Sequence, residues 1–346
     1  MPVKKAIFDK KNILVIGGAG FVGSNLCDEL VKTAKVICLD NFLTGDQSNI
    51  AHLLANPDFK FINHDIINPI ELESRPELAE FKVAFQGVQE IYFLASPTSP
   101  KAYMAHPVET LLVNSVGLRY ALDLAVKYEA SILFASAPAV YGAGTGPMPI
   151  KEDYVGPVDQ FGPRACYAEA KRFGEALVNN YRLAHKLNTK IARIFNCYGP
   201  RLSLTDGRMI PEMISAAYSG TTITIYGRES EFASYFYITD LIRGLMKLME
   251  SGESGPVNMA SEWKMSINEI AKKIITLTNS KSIIEFKNRP AHFEVQPLAN
   301  ISLVKEKLGW FPIILMDEGL QKTIDYLSAQ KGIRRPETTL GSVKMV

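Results

Sequence analysis

A glycine turn set between an apolar strand and a helix limits the fold of this chain more than any other feature. The run Asn12–Ile16, NILVI, reads as a buried strand, and Gly17-Gly18-Ala19-Gly20-Phe21-Val22-Gly23 follows it directly. Residues 21–32 then place Val22, Leu26, Leu30 and Val31 on one helical face. Each glycine has a physical task at this spacing. Gly17 permits the tight turn, Gly20 lets backbone approach a pyrophosphate, and Gly23 lets the helix pack close to the strand. Phosphates then meet free N–H groups, including those of Phe21 and Val22, at the positive end of the helix. Asp40 closes the next strand at the distance expected of a ribose-binding carboxylate. A carboxylate there accepts hydrogen bonds from adenosine hydroxyls and repels a 2′-phosphate, which predicts NAD as the cofactor rather than NADP.

The rest of the first half repeats the same rhythm. Further strands are expected at 36–40, 59–63, 90–96, 131–136 and 189–195, and long helices at 107–128 and 164–185. Strands alternating with helices imply an α/β fold, a Rossmann-type doubly wound parallel sheet. After Asn196 the turns become rich in Pro and Gly, and the alternation loses regularity. The expected division is residues 1–196 as a mainly NAD-binding domain and 197–330 as a mainly substrate-binding lobe. The polar, basic stretch 331–346 reads as a flexible tail.

Composition narrows the function. Hydrophobic residues at 47% suffice for a full core. A net charge of +2 argues against nucleic acid or an anionic membrane as partner. The four cysteines, Cys27, Cys38, Cys166 and Cys197, have neither metal-ligand nor disulfide-framework spacing, so no metal is expected. The N-terminus has no apolar stretch before the first strand, and no run of 18 apolar residues occurs, so a cytoplasmic protein is expected.

Tyr167 and Lys171 stand four residues apart on the 164–185 helix, hence on one face. An ammonium near a phenol lowers its pKa, so Tyr167 is expected to act as a base, with Lys171 also holding the nicotinamide ribose. With the glycine turn, this pair gives the chain a resemblance to the extended short-chain dehydrogenase/reductases, above all the UDP-glucuronic acid decarboxylases. The stretches VIGGAGFVGSNL, LDNFLTG, FLASPTSP, GPRACYAEAKR, RIFNCYGPR, DGR, YITDLIRGL, GPVNM and KLGW carry it in order over nearly the whole chain.

The resemblance implies a nucleotide-sugar substrate oxidised by bound NAD at a sugar hydroxyl, usually C4, and a homodimer built on the two long helices. It implies cofactor contacts at Gly17, Gly20, Gly23, Asp40, Asn41, Asp65, Leu94, Ala95, Asn114, Tyr167 and Lys171. On the substrate side it points to Asn196, Arg201, Arg208 and Tyr226.

The chain departs from that family at the reacting centre. Where the decarboxylases have Ser-Thr-Ser-Glu-Val-Tyr-Gly, this chain has Ser136-Ala137-Pro138-Ala139-Val140-Tyr141-Gly142. An arginine of the C-terminal lobe is replaced by Ala233, a diphosphate-binding arginine falls near Gln296, and a histidine becomes Phe93. Alanine and proline side chains offer no proton donor or acceptor. Three readings stay open: a redox enzyme with another substrate, an NAD-binding protein without turnover, or a decarboxylase with substitute groups. Tyr141, Glu169, His106 and Asp206 are the candidate substitutes. The stretch 71–87, without counterpart in the decarboxylases, is expected to be a surface helix or one wall of the cofactor site.

Overall fold

The computed structural model describes residues 9–142, 149–205, 207–229, 231–289 and 297–331. Asp206, Gln296 and residues 332–346 lie outside the described residues. Six apolar segments form parallel strands: β1 (Asn12–Ile16), β2 (Lys35–Asp40), β3 (Phe59–Asn63), β4 (Glu90–Phe93), β5 (Ser131–Ser136) and β6 (Thr189–Ile194). Their order across the sheet is β3-β2-β1-β4-β5-β6, and a seventh strand, Pro256–Met259, pairs in parallel with β6. The sequence pattern beyond Asn196 gave no sign that the chain would return to the main sheet. Four residues are too short to show a period.

Strand order reverses between β1 and β4, so the connections leave the two strands in opposite directions and open a crevice at their carboxyl ends. The turns after β1, β2, β4 and β5 carry Gly17, Asn41, Leu94 and Ala137 there. Both sheet faces are covered. Ile13, Val15, Val36 and Cys38 face one apolar cluster, and Leu14, Ile16, Ile37 and Leu39 face the other, as the alternation of strand side chains requires.

The helix expected at 107–128 is unbroken but not regular. It runs as Pro107–Leu112 and Leu118–Tyr128, joined by a π turn at Val113–Gly117. The Tyr/Lys helix spans Ala165–His185. The 71–87 stretch contains a 3₁₀ segment, Pro76–Phe81, and a short helix, Val83–Gln86. Leu72, Leu78, Phe81 and Val83 are buried in the second apolar cluster, and no residue of the stretch lines the cleft at the carboxyl end of the sheet. Beyond Asn196, Ile223–Tyr226 pairs with Ile284–Lys287, and the described residues end on the helix Met316–Lys331.

Candidate active site

A cleft of about 800 Å³ runs from the glycine turn across the sheet's carboxyl end to the smaller lobe. Gly17, Gly20, Phe21, Val22, Gly23, Asp40, Asn41, Asp65, Leu94 and Ala95 line one end. The turn itself is tightly built. Gly17 adopts φ +85°, and a Cβ on it would lie 2.6 Å from the Ala95 nitrogen. A Cβ on Gly23 would lie 2.1 Å from the Gly17 carbonyl oxygen. Gly20 differs: a Cβ there meets nothing nearer than 3.4 Å. It lines the open cleft, so a side chain would occupy ligand space without disturbing the fold. The helix Phe21–Leu30 has no side-chain cap and no acidic residue in its first turn, which leaves its positive end to a ligand. These residues fit a dinucleotide pyrophosphate.

Asp40 braces the same turn. Its Oδ2 accepts from the Ala19 N–H at 2.9 Å and its Oδ1 from the Phe42 N–H at 2.8 Å. Burial raises its pKa, and the backbone donors of Phe42, Ala19 and Asn41 oppose that rise. A carboxylate has about four lone-pair sites, so Asp40 keeps capacity for a ribose hydroxyl beside these donors.

Tyr167 and Lys171 line the deeper part of the cleft, both buried. The Lys171 ammonium donates to Asn114 Oδ1 at 3.0 Å and to the Ala135 carbonyl at 2.8 Å, and lies 4.9 Å over the Phe134 ring. Asn114 stands behind the cleft wall rather than in it. Its amide nitrogen donates to Ser96 Oγ at 3.0 Å and to the Thr110 carbonyl at 2.9 Å, so it orients Lys171 and the β4 loop together. The Tyr167 ring stacks on Tyr103, with centroids 5.1 Å apart and planes at 8°.

The electrostatics depart from the simple picture of an ammonium that acidifies a phenol. Burial drives the Tyr167 phenol up to about 12, opposed by the guanidinium groups of Arg208 and Arg164. Burial drives Lys171 down to about 7, opposed by the Glu175 carboxylate. The guanidinium groups of Arg208 and Arg164 favour tyrosinate, and the Lys171 nitrogen stands 5.9 Å from the Tyr167 ring. Arg208 also donates to Thr98 Oγ1. Sequence reasoning passed over Arg164 and Tyr103. The position of Arg164, directly before the Tyr/Lys helix, was the available signal.

The remaining expected residues separate. Asn196, Arg208 and Tyr226 line the cleft, and Asn196 donates to the Ser234 carbonyl at 3.3 Å. Arg201 lines the cleft but is paired with Asp28 of the glycine-turn helix at 2.6 Å, which puts it nearer the cofactor side than expected. Ala137, Pro138, Ala139 and Ala233 all face the cleft, so the altered positions form a real wall of the site.

Of the candidate substitutes, His106 lines the cleft. Glu169 is half-buried and outside it. Tyr141 is turned away: its hydroxyl donates to Asn258 Oδ1 at 2.7 Å and accepts from Arg193 at 2.8 Å. Phe93 is fully buried beside Phe134.

A seven-stranded parallel sheet, a glycine cradle at its switch point and a buried Tyr/Lys pair define a dinucleotide-dependent redox protein of Rossmann type. The chain belongs to the NAD dependent epimerase/dehydratase family, whose model matches residues 13–260. It is 39% identical to UDP-glucuronic acid decarboxylase 1 of Danio rerio over 323 residues, covering 93% of this chain and 74% of that one. It is 36% identical to UDP-glucuronic acid decarboxylase 5 of Arabidopsis thaliana over 325 residues, covering 92% and 90%.

Among solved structures, a UDP-N-acetylglucosamine 4-epimerase from Methanobrevibacter ruminantium M1, in complex with UDP-N-acetylmuramic acid, superposes with a TM-score of 0.80 at 25% identity, covering 93% of this chain and 100% of that one. A UDP-glucuronic acid 4-epimerase from Bacillus cereus, in complex with NAD, gives 0.76 at 25% identity, covering 92% and 99%. Among the described residues no helix is long and apolar enough to cross a membrane.

Proposed function

We propose that this chain is an NAD-dependent nucleotide-sugar-modifying enzyme that oxidises a sugar hydroxyl at Tyr167. The observation that carries the reading is one continuous cleft holding the glycine turn, the Tyr167/Lys171 pair and Arg208. Gly17, Gly20, Gly23, Asp40, Asn41 and Asp65 would hold the dinucleotide, with Leu94 and Ala95 backbone beside it. Bound NAD supplies a reversible hydride acceptor and, when oxidised, a positive charge. Tyr167 takes the hydroxyl proton at its phenolic oxygen, and Arg208 and Arg164 stabilise the tyrosinate. Lys171, anchored by Asn114 and Ala135, fixes the ribose side of the site. Asn196, Arg208 and Tyr226 would meet the nucleotide sugar.

The alanine and proline wall supports chemistry confined to oxidation and re-reduction, as in epimerisation, over decarboxylation. Ala137, Pro138, Ala139 and Ala233 supply no acid or base beside Tyr167. The 4-epimerases among the structural neighbours act on UDP-linked sugars, and this chain is assigned the same class of substrate.

A homodimer belongs to the same reading. Val108, Leu111, Phe173 and Leu183 are exposed on the helices Pro107–Leu112 and Ala165–His185, an apolar surface suited to a second copy of the chain.

The test is incubation with a panel of UDP-, GDP- and dTDP-sugars, followed by absorbance at 340 nm and by chromatographic separation of products before mass spectrometry, because an epimer has the mass of its substrate. Turnover of one substrate, lost on the order of 10²–10⁴-fold in Tyr167→Phe with NAD binding kept, is the expected result. NAD binding without any product across the panel would instead mark a non-catalytic member.

A further inference from the structure

Behind the Tyr/Lys pair lies a buried polar chain that the proposed reaction does not use. Ser136 Oγ donates to Glu175 Oε1 at 2.5 Å. Arg193 grips the same carboxylate with two bonds, Nε to Oε1 at 2.9 Å and a terminal nitrogen to Oε2 at 2.7 Å. Its other terminal nitrogen donates to the Tyr141 hydroxyl at 2.8 Å and to the Glu152 carbonyl at 2.7 Å. The carboxylate and guanidinium are only 14% and 10% exposed.

This chain touches the reacting end at two points. Glu175 lies one helical turn beyond Lys171 on the same helix. Ser136, which Glu175 holds, directly follows Ala135, whose carbonyl binds the Lys171 ammonium. Glu175 therefore reaches Lys171 along their shared helix and through the residue next to Ala135, while the Asn114 support is independent of it.

We propose that Glu175 is a positioning residue for the hydride-transfer pair, setting the electrostatic field at Lys171 to a level that Arg193 moderates. This rests on the reading that Lys171 faces the bound cofactor. A carboxylate one turn away favours the ammonium, and the guanidinium clamped to that carboxylate partly cancels its charge.

Other groups near Lys171 do not take this part. On its own helix Tyr167 is neutral at ordinary pH. Glu109 on the helix Pro107–Leu112 lines the cleft farther out. On Leu118–Tyr128, Asp123 accepts from Tyr181, Lys127 pairs with Glu73, and Arg119 lies on the Tyr120 ring. Lys190 of β6 is held by the Ser251 and Glu253 carbonyls. Arg164 and Arg208 act on the Tyr167 side. Glu175 is the charge that opposes the effect of burial on Lys171.

The discriminating experiment labels the full-length protein with acetic anhydride across a pH series and reads acetylation of Lys171 by peptide mass spectrometry, with and without NAD. NAD should protect Lys171. In its absence the labelling midpoint should fall by roughly one pH unit in Glu175→Gln and rise in Arg193→Gln, which leaves the carboxylate uncancelled. Shifts of opposite sign are not the signature of a structural role, which would loosen the site alike in both variants.

Should Arg193→Gln fail to fold, the double variant Glu175→Gln/Arg193→Gln leaves no lone buried charge. Its midpoint should lie between those of the native protein and Glu175→Gln. Midpoints that stay put, or move the same way in both single variants, while NAD still protects Lys171, would overturn the proposal and leave the functional reading intact. Failure of NAD to protect native Lys171 would overturn that reading, and the proposal with it.

Discussion

Gly20 and Gly23 sit in one turn, yet the structure assigns them to different masters, ligand and fold. A methyl group on Gly23 would fall 2.1 Å from the Gly17 oxygen and 2.7 Å from the Gly18 Cα. Both are backbone atoms, so the turn itself must move, at an overpacking cost of about 3 kcal/mol. The better helix propensity of alanine returns only about 1 kcal/mol. A net loss of about 2 kcal/mol lowers the Tm of Gly23→Ala by roughly 3 °C. Gly20 has ordinary backbone angles, φ −76° and ψ 178°, and its nearest Cβ contact is 3.4 Å.

Gly20→Ala should therefore unfold at the native temperature without cofactor. Its methyl group instead occupies the approach to the helix N–H groups. Losing charge-assisted contacts there, about 1.5–3 kcal/mol, weakens NAD binding by roughly ten- to a hundredfold. Thermal unfolding in the absence of NAD and a fluorescence titration with NADH measure the two effects separately. If Gly20→Ala kept native affinity, or lost as much intrinsic stability as Gly23→Ala, the division of labour would be wrong.

Lys171 predicts a pH-dependent stability. Its ammonium stands near 7 in the fold against 10.5 ordinarily, so between these values the unfolded chain binds more protons and stability rises with pH, by up to about 1.4 kcal/mol per unit. Below about 7 both states are protonated and the full cost of burial applies. The stability of Lys171→Met relative to the native protein should be most favourable at pH 6 and decline toward pH 9 in urea unfolding. Asp40→Ser should retain NAD weakly and narrow the preference over NADP, because the charge that repels a 2′-phosphate is gone; equal loss of both cofactors in a titration would contradict this. Leu111→Glu or Phe173→Glu should shift the sedimentation of a dimer toward the monomer, and an unchanged profile would place the subunit contact elsewhere.

The central sheet was legible because its signals are local. NILVI, KVICLD and SILFAS each carry enough apolar side chains in a row to mark a strand, and the spacing from Gly17 to Asp40 is fixed by one strand-helix-strand passage. What escaped the sequence depends on contacts between distant residues. Glu175 meets Ser136 across 39 positions, and Arg193 meets Tyr141 across 52. Tyr141 reads as a spare acid in the sequence, but Asn258 and Arg193 engage its hydroxyl. The burial of Lys171, which lowers its pKa to about 7, is a property of the packed helix face and leaves no mark on the Tyr-x-x-x-Lys spacing. Likewise the 71–87 stretch reads as surface by composition but delivers Phe81 and Leu78 to the core.

The π turn at Val113–Gly117 ties two parts of the protein to one geometric detail. On its inner side it presents Asn114 to Lys171, and one turn earlier the same helix exposes Leu111 and Val108. A wide turn accommodates one residue more than a regular ladder, and each residue advances an α-helix by about 100°. Deleting one residue there would swing the apolar outer face away from its present bearing while Asn114 lost its aim at Lys171. The exposed apolar face and the grip on Lys171 are thus phased together, so a change in the length of this helix cannot retune one without the other.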